Sequence, residues 1–204
     1  MHRTKGLYRV LERPSVYERF QKMLGADRVR ARFVEEFLRP FAGARLIDAG
    51  CGTGSLLDYL PAGVEYVGFD PNPRYIEAAR ARYGARGTFF CARTSETAPF
   101  EEAAFDIVVA KSLLHHLSDG DAHALLASAR RWLRPGGAFV SSDGVVHARQ
   151  RTIARLLTAL DRGANVRTPE GYRALATPYF LHVESWLMSD MAAIPYDHFI
   201  LRAS

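Results

Sequence analysis

The sequence predicts an α/β protein built on a doubly wound, mostly parallel sheet of seven strands. Three observations carry this prediction. An apolar strand at 45–49 runs directly into a turn with glycines at positions 50, 52 and 54. Asp70 closes a second apolar strand at 65–69, and from residue 45 onward strand-like and helix-like segments alternate. Such alternation is typical of a parallel sheet with helices on both faces.

Turn and cap residues set the limits of the predicted elements. Asn72 followed by Pro73 is a typical helix start, and Ser118 or Asp119 is predicted to cap a later helix. The segment 134–137 is predicted to turn the chain into the fifth strand. Strands are predicted at 45–49, 65–69, 87–92, 105–109, 138–142, 181–187 and 197–202, and helices at 55–60, 73–84, from 119, at 148–161 and from 169.

Residues 1–40 precede the first strand and have apolar residues at helical spacing. We expect them to form an N-terminal helical cap that belongs to the same domain as residues 41–204. Because this cap precedes the first strand, it must pack onto the domain or cover the mouth of a binding site.

Composition limits the functional classes. The chain of 204 residues is 48% apolar, which suits one globular domain with a sizeable core. No apolar run is long enough to span a bilayer, and no apolar segment follows the basic amino terminus, so we do not expect secretion. With Cys51 and Cys91 as the only cysteines, we expect a cytoplasmic protein with reduced thiols. The net charge of +5 attracts anions, but the arginines are scattered rather than clustered, which argues against a nucleic-acid partner.

The glycine turn predicts a nucleoside-type cofactor at the carboxyl edge of the sheet. Glycine allows a positive φ and lets the backbone pass close to a ligand. An acidic residue about twenty positions after such a turn is suited to bind two ribose hydroxyls, and Asp70 occupies that place. The dinucleotide fingerprint needs a third glycine where this chain has Ser55, and no Gly-Lys-Ser/Thr follows the turn, which excludes a P-loop.

The pattern from Asp48 through the glycine turn resembles motif I of the class I S-adenosylmethionine (SAM) methyltransferases. The strand at 105–108, the turn at 133–137 and the stretch Leu114-His115-His116-Leu117 strengthen this likeness, which is greatest to small-molecule methyltransferases of the quinone-biosynthesis type. The resemblance covers residues 41–204. It implies a Rossmann-like methyltransferase fold, SAM as cofactor, and methyl transfer to a small-molecule acceptor by in-line displacement.

The family's cofactor contacts carry over residue by residue. The resemblance implies that Gly50, Gly52 and Gly54 face the methionine half of SAM, that Asp70 binds its ribose, and that Asp48 organises the turn. The family commonly has an aspartate near the adenine amino group. This chain has Thr94 and Ser95 there, so a hydroxyl takes the place of the carboxylate.

The double histidine is the candidate for acceptor chemistry. A neutral imidazole can remove a proton from a hydroxyl acceptor, which typically accelerates a reaction by about 10²–10⁴-fold. The family pattern favours His116 over His115. The alternative for either histidine is a structural one, with the ring packed under the loop and hydrogen-bonded to the backbone.

Further candidates surround this loop. Lys111 follows the fourth strand, where its charge could bind the SAM carboxylate; the ordinary alternative is a solvated loop lysine. Asp143 either faces the acceptor or caps a loop. Tyr17, Tyr172 and Tyr196 are predicted to line the acceptor pocket, although buried aromatics are more often core residues.

No set of metal ligands is visible, so no metal is expected. Two alternatives to a small-molecule enzyme stay open. One is a non-catalytic SAM-binding or regulatory protein, and the other is an RNA methyltransferase that only the charge supports.

Overall fold

The computed structural model describes residues 25–94, 100–160 and 163–204. Their seven strands form one sheet in the order β3-β2-β1-β4-β5-β7-β6, in which β7 pairs antiparallel with β5 and β6 and all other pairs are parallel. The strands are β1 (Arg45–Ala49), β2 (Glu65–Asp70), β3 (Gly87–Cys91), β4 (Phe105–Lys111), β5 (Leu133–Gly144), β6 (Val183–Met188) and β7 (His198–Ala203). The predicted doubly wound α/β fold is therefore confirmed.

Five α-helices and three short helical segments connect the strands within the described ranges. The α-helices are α1 (Ala26–Arg32), α2 (Pro73–Tyr83), α3 (Asp119–Trp132), α4 (Thr152–Leu160) and α5 (Pro169–Ala176). A π-helix, Phe33–Leu38, continues α1, and 3-10 helices span Ser55–Tyr59 and Leu114–His116. In this part of the chain, no helix is long and apolar enough to cross a membrane.

The predicted caps begin the helices that follow them. The side chain of Asn72 accepts a hydrogen bond from the Arg74 amide at 3.0 Å, with Pro73 in the first turn. Ser118, rather than Asp119, caps α3. Thr168 caps α5 in the same way, through the Gly171 amide. Each side chain satisfies an amide that has no partner inside its helix.

Three predicted elements differ from the structure. The helix after β1 is a 3-10 helix of five residues, because the chain is already extended at Leu60, just before Pro61. The predicted turn at 134–137 lies inside β5, where Gly136 has a φ of 80° and the register with β4 shifts. The helix predicted from 148 begins at Thr152, because a turn at 147–150 precedes it.

Two apolar layers, one on each face of the sheet, make up the core. One layer joins β-strand residues with α3 and α5. The other layer joins Leu46 and Val109 of the sheet with Val29, Phe33 and Leu38 of α1 and its π-helical continuation. The described part of the N-terminal region is thus integral to the core. Residues 1–24, where Tyr17 and most of the predicted cap lie, are outside the described residues.

Candidate functional site

The glycine turn lies at the carboxyl end of β1, and all three of its glycines have left-handed backbones. The φ angles are 70° at Gly50, 54° at Gly52 and 76° at Gly54. A Cβ at Gly50 would lie 2.9 Å from a methyl carbon of Leu113, whereas a Cβ at Gly52 would meet nothing within 4 Å. Gly50 is therefore required by packing as well as by φ, and Gly52 borders the open space that a ligand would need.

Asp70 ends β2 beside this turn. Its Oδ2 accepts a hydrogen bond from the Gly52 amide at 3.1 Å, and its Oδ1 accepts one from the Asn72 amide at 2.8 Å. Burial raises the pKa of Asp70, and the two amide hydrogen bonds oppose that shift. The carboxylate is thus fixed against the turn, and each oxygen keeps acceptor capacity for a further hydroxyl.

Asp48 lies on β1 with its side chain buried. Its Oδ2 accepts a hydrogen bond from the Tyr66 hydroxyl at 2.6 Å. Burial raises the pKa of Asp48 to about 7, while the Tyr66 hydrogen bond and the charge of Lys111 act in the opposite direction. The hydrogen bond to Tyr66 joins β1 to β2 within the sheet.

Lys111 is the last residue of β4 and is half-buried, so it is less exposed than the alternative of a solvated loop lysine assumes. Burial, followed by the charge of Arg30, lowers the pKa of Lys111 to about 8; the charges of Asp48 and Asp143 act against this shift. The charges of one cation and two carboxylates therefore act on Lys111 at this edge of the sheet.

Arg30 is a site candidate that the sequence analysis missed. It is only 8% exposed and lies on α1 among the apolar residues Val29, Phe33 and Val34. A charged residue in the buried stripe of an amphipathic helix is rare, and this departure from the pattern is the signal that could have identified it.

The histidine loop, residues 113–117, follows β4 and packs on Gly50 through Leu113. His115 is 3% exposed, and its Nδ1 lies 2.8 Å from Asp143 Oδ1, which also accepts a hydrogen bond from the His115 amide at 3.2 Å. As a neutral ring that donates from Nδ1, His115 has Nε2 as its proton-accepting nitrogen. His116 is exposed, and its ring centre lies 4.1 Å from that of His115.

Asp143 holds His115 through its backbone amide, which matches the loop-capping interpretation, and through its ring, a contact that the sequence did not predict. The Asp143 side chain is 1% exposed, and its Oδ2 is buried without a hydrogen-bond partner among the described residues. A buried carboxylate oxygen in this state carries a desolvation cost that a donating ligand group would relieve.

The remaining candidates are distributed around the carboxyl edge. Tyr172 is a core residue, 1% exposed, whose hydroxyl donates to the Gly144 carbonyl at 2.8 Å; its surroundings match the core alternative. Tyr196 is half-buried next to His198, with ring centres 5.0 Å apart. Thr94 is half-buried in the turn after β3, and Ser95 lies outside the described residues.

A second histidine–aspartate pair was also missed. His147 Nε2 lies 3.2 Å from Asp197 Oδ2, and Asp197 is 4% exposed. The antiparallel pairing of β5 with β7 aligns Gly144 with His198 and so brings this pair to the same sheet edge. Across residues 25–94, 100–160 and 163–204, no group of three or more histidine, cysteine or acidic residues could hold a metal ion.

Comparisons with known proteins agree with this geometry. Residues 46–137 match a family described as Methyltransferase domain. A ubiquinone biosynthesis O-methyltransferase from Methylocella silvestris is 38% identical over 107 residues, which are 51% of this chain and 41% of that protein. The chain thus spans less than half the length of this curated relative.

Solved structures show the same fold at low sequence identity. The putative methyltransferase in a complex with a Haloferax volcanii methyltransferase activator has a TM-score of 0.74 at 17% identity, covering 98% of both chains. Human N-acetylserotonin methyltransferase in complex with SAM has a TM-score of 0.70 at 20% identity, covering 95% of this chain and 56% of that one. Residues 46–137 are thus similar to a methyltransferase domain, and the described part of the chain has the fold of solved methyltransferases.

Proposed function

We propose that this protein transfers a methyl group from SAM to a hydroxyl oxygen of a small molecule. The observation that carries the proposal is the direct packing of the histidine loop on the glycine turn, where Leu113 meets Gly50. This contact joins a proton-accepting group to a cofactor cradle. The names of the relatives, which are O-methyltransferases of ubiquinone biosynthesis, support the acceptor class.

The proposed cofactor site consists of the turn and its charged neighbours. The space beside Gly52 fits a ligand that approaches the backbone closely, and Asp70 would accept hydrogen bonds from the ribose hydroxyls. Arg30 and Lys111 would bind the carboxylate of the methionine part, since both cations influence this edge. Thr94 and Ser95 would lie nearest the adenine. When bound, SAM supplies a sulfonium methyl group that is transferred by in-line displacement.

The histidines are proposed to act on the acceptor. His116, which is exposed, would contact the acceptor hydroxyl and accept its proton; failing that, His115 would do so through Nε2. Asp143 would hold the His115 ring in one orientation. Tyr17 and Tyr196 are proposed to line the acceptor pocket. Alignment of the acceptor with the methyl group could supply roughly 7–11 kcal/mol of the barrier reduction.

Calorimetry with S-adenosylhomocysteine (SAH), the demethylated product of SAM, tests the cofactor site. Asp70→Ala removes both proposed ribose contacts, so we expect affinity to fall by at least about a hundredfold, at about 1.4 kcal/mol for each tenfold. Asp58→Ala is the matched control, because Asp58 bonds Arg82 and Tyr83 outside the proposed site. Unchanged affinity in Asp70→Ala would refute the assignment.

Turnover separates the two interpretations of His116. His116→Ala should lower turnover about a hundredfold or more with SAM affinity nearly preserved, because a general base contributes about 10²–10⁴-fold. If His116 is structural, the variant instead loses stability while its folded fraction keeps the normal rate. Measuring the melting temperature and the specific rate on one sample decides between them.

The proposal also covers partners and location. We propose that the acceptor is a small molecule and that the protein is cytoplasmic. We also propose that it acts without metal ions or nucleic acid. The two cysteines, neither in a disulfide, support the cytoplasmic location. Chelation should leave turnover unchanged; a loss that added metal restores would contradict metal independence. A non-catalytic SAM-binding role is not favoured, and it would be recognised by SAM binding without turnover over a broad acceptor panel.

A further inference from the structure

Arg167 uses all of its side-chain donors on the histidine loop and its surroundings. Its Nη1 donates to the carbonyls of Leu114 and Asn165 at 2.7 and 3.0 Å, and its Nη2 donates to the Leu117 carbonyl at 2.8 Å. Nε and Nη2 both donate to Asp119 Oδ1, at 3.0 and 2.7 Å. Five N–H groups make five hydrogen bonds, which is the full capacity of a guanidinium.

Two of the three carbonyls that Arg167 binds belong to the histidine loop. Leu114 begins the short 3-10 helix of the loop, and its carbonyl also accepts a hydrogen bond from the Leu117 amide at 3.2 Å. Leu117 follows the end of that helix, and carbonyls at a helix end lack partners within the helix. Because the Arg167 side chain is only 11% exposed, water has little access, so the Leu117 carbonyl would carry a desolvation cost without this partner.

The segment around Arg167 is itself attached to the site. The Asn165 amide donates to the His115 carbonyl at 2.9 Å, and the Val146 amide donates to the Arg167 carbonyl at 3.2 Å. Val145, directly after β5, forms a bridge with Arg167. The backbone of Arg167 therefore pairs with the chain after β5, while its guanidinium binds the chain after β4.

We propose that Arg167 is a positioning residue for methyl transfer, which fixes the histidine loop so that His115 and His116 face the acceptor. This inference rests on the proposed function. Arg167 acts through the backbone of the loop and need not touch substrate. Its distance along the chain from His115 explains why no local motif marks it, and its near-complete burial distinguishes it from the many surface arginines.

The fork geometry of arginine makes the proposal specific. Lysine has the same charge, but its single ammonium group cannot reach carbonyls at both ends of the loop and Asp119 together. Arg167→Lys should therefore keep the charge and lose the positioning. Arg173→Lys is the matched control, because Arg173 lies on the next helix and bonds Ser185 of β6 instead.

Two measurements on these variants test the proposal. The first is NMR of the imidazole signals over pH, assigned with His115→Gln and His116→Gln; in Arg167→Lys we expect both histidine signals to move or broaden. The second is turnover, which should fall about a hundredfold with the KM for SAM unchanged, because small misplacements have effects of that size. Arg173→Lys should behave as the wild type in both measurements.

The proposal would be overturned if Arg167→Lys had the histidine signals and turnover of the wild type. It would also be overturned if Arg167→Lys lost stability while its folded fraction kept the wild-type signals and rate. If Arg167→Lys does not fold, Asp119→Ala tests the proposal instead. It removes the two hydrogen bonds that Arg167 makes to Asp119, whose side chain is 78% exposed, and it leaves the other three in place. That variant should shift the same signals by less. If the wild-type protein methylates no acceptor, the proposed function fails, whereas the histidine signals still report whether Arg167 fixes the loop.

Discussion

At the scale of single residues, Gly52 and Gly136 allow a matched comparison of two alanine variants. Both have left-handed backbones, with φ of 54° and 80°, and a Cβ at either position would meet nothing within 4 Å. Alanine should therefore strain both by about 1–2 kcal/mol. Only Gly52 borders the proposed cofactor space, so Gly52→Ala should lower SAH affinity at least about tenfold, or about 1.4 kcal/mol. Calorimetry on both variants checks this, and equal affinities would mean that no ligand approaches Gly52.

Asp48 should give the stability of the protein a distinctive pH dependence. Burial raises its pKa to about 7, so between its ordinary value near 4 and pH 7 the folded state holds a proton that the unfolded state has released. Its contribution to stability is therefore lost as pH rises through this window and stays lost above pH 7. Asp48→Asn should be more stable than the wild type at pH 8 and similar at pH 4.

Urea denaturation at several pH values measures this difference. Asparagine keeps an oxygen that can accept the Tyr66 hydroxyl, so the comparison isolates the charge. Asp58→Asn is the control, because that carboxylate lies at the surface against Arg82. A pH-independent difference between Asp48→Asn and the wild type would contradict the raised pKa.

Sequence reasoning found the residues whose roles depend on local spacing. Gly50, Gly52 and Asp70 follow adjacent strands at fixed distances, and the structure brings them together as predicted. The pairing of His115 with Asp143 and that of His147 with Asp197 were not foreseen. Each joins residues far apart in sequence, and only the sheet register shows that they meet.

At the scale of elements, α1 and its π-helical continuation form part of the core rather than a removable cap. Phe33 and Leu38 are fully buried, and Arg202 of β7 donates to the Phe37 carbonyl at 3.0 Å. A chain that begins at residue 41 should therefore fold poorly, since it loses several buried apolar side chains of about 1.5–3 kcal/mol each.

A chain that begins at Gly25 tests whether residues 1–24 cover the acceptor pocket, without disturbing the part of α1 that belongs to the core. It keeps α1, so we expect a native circular-dichroism spectrum and near-normal SAH affinity. If residues 1–24 cover the acceptor pocket and exclude water, turnover should fall strongly. Full turnover in this shortened chain would show that residues 1–24 are not needed to cover the acceptor pocket. Failure to bind SAH would instead assign residues 1–24 to the cofactor site.

The boundaries of elements were harder to predict than their existence. All seven strands were predicted, and the apolar runs of β1 and β4 were the clearest signals, because a strand buried by helices needs apolar side chains on both faces. The 134–137 segment was predicted as a turn from its proline and glycines. In the structure these residues form an irregularity within β5, because the residues directly before and after them, Leu133 and Ala138, both pair with β4.

For the whole molecule, the net charge of +5 raises the question of nucleic acid again. If the acceptor is a small molecule, retention on RNA should be weak and should disappear between about 50 and 200 mM salt, as non-specific ionic binding does. Filter binding across this range measures it, with SAH affinity followed in parallel as the control. Retention that survives high salt and blocks turnover would favour an RNA acceptor.

The position of β7 has a consequence for the order in which the molecule can form. This strand is the last of the seven in sequence, yet it lies between β5 and β6. Because β6 pairs only with β7 within the sheet, β6 has no partner until the final strand has been synthesised and has docked. The pairing of β7 with β5 is non-local, and such pairing is slow. A ribosome-bound chain that still lacks β7 would therefore present one open edge of β5 and an entirely unpaired β6, and a chaperone that binds exposed strands would find its target there.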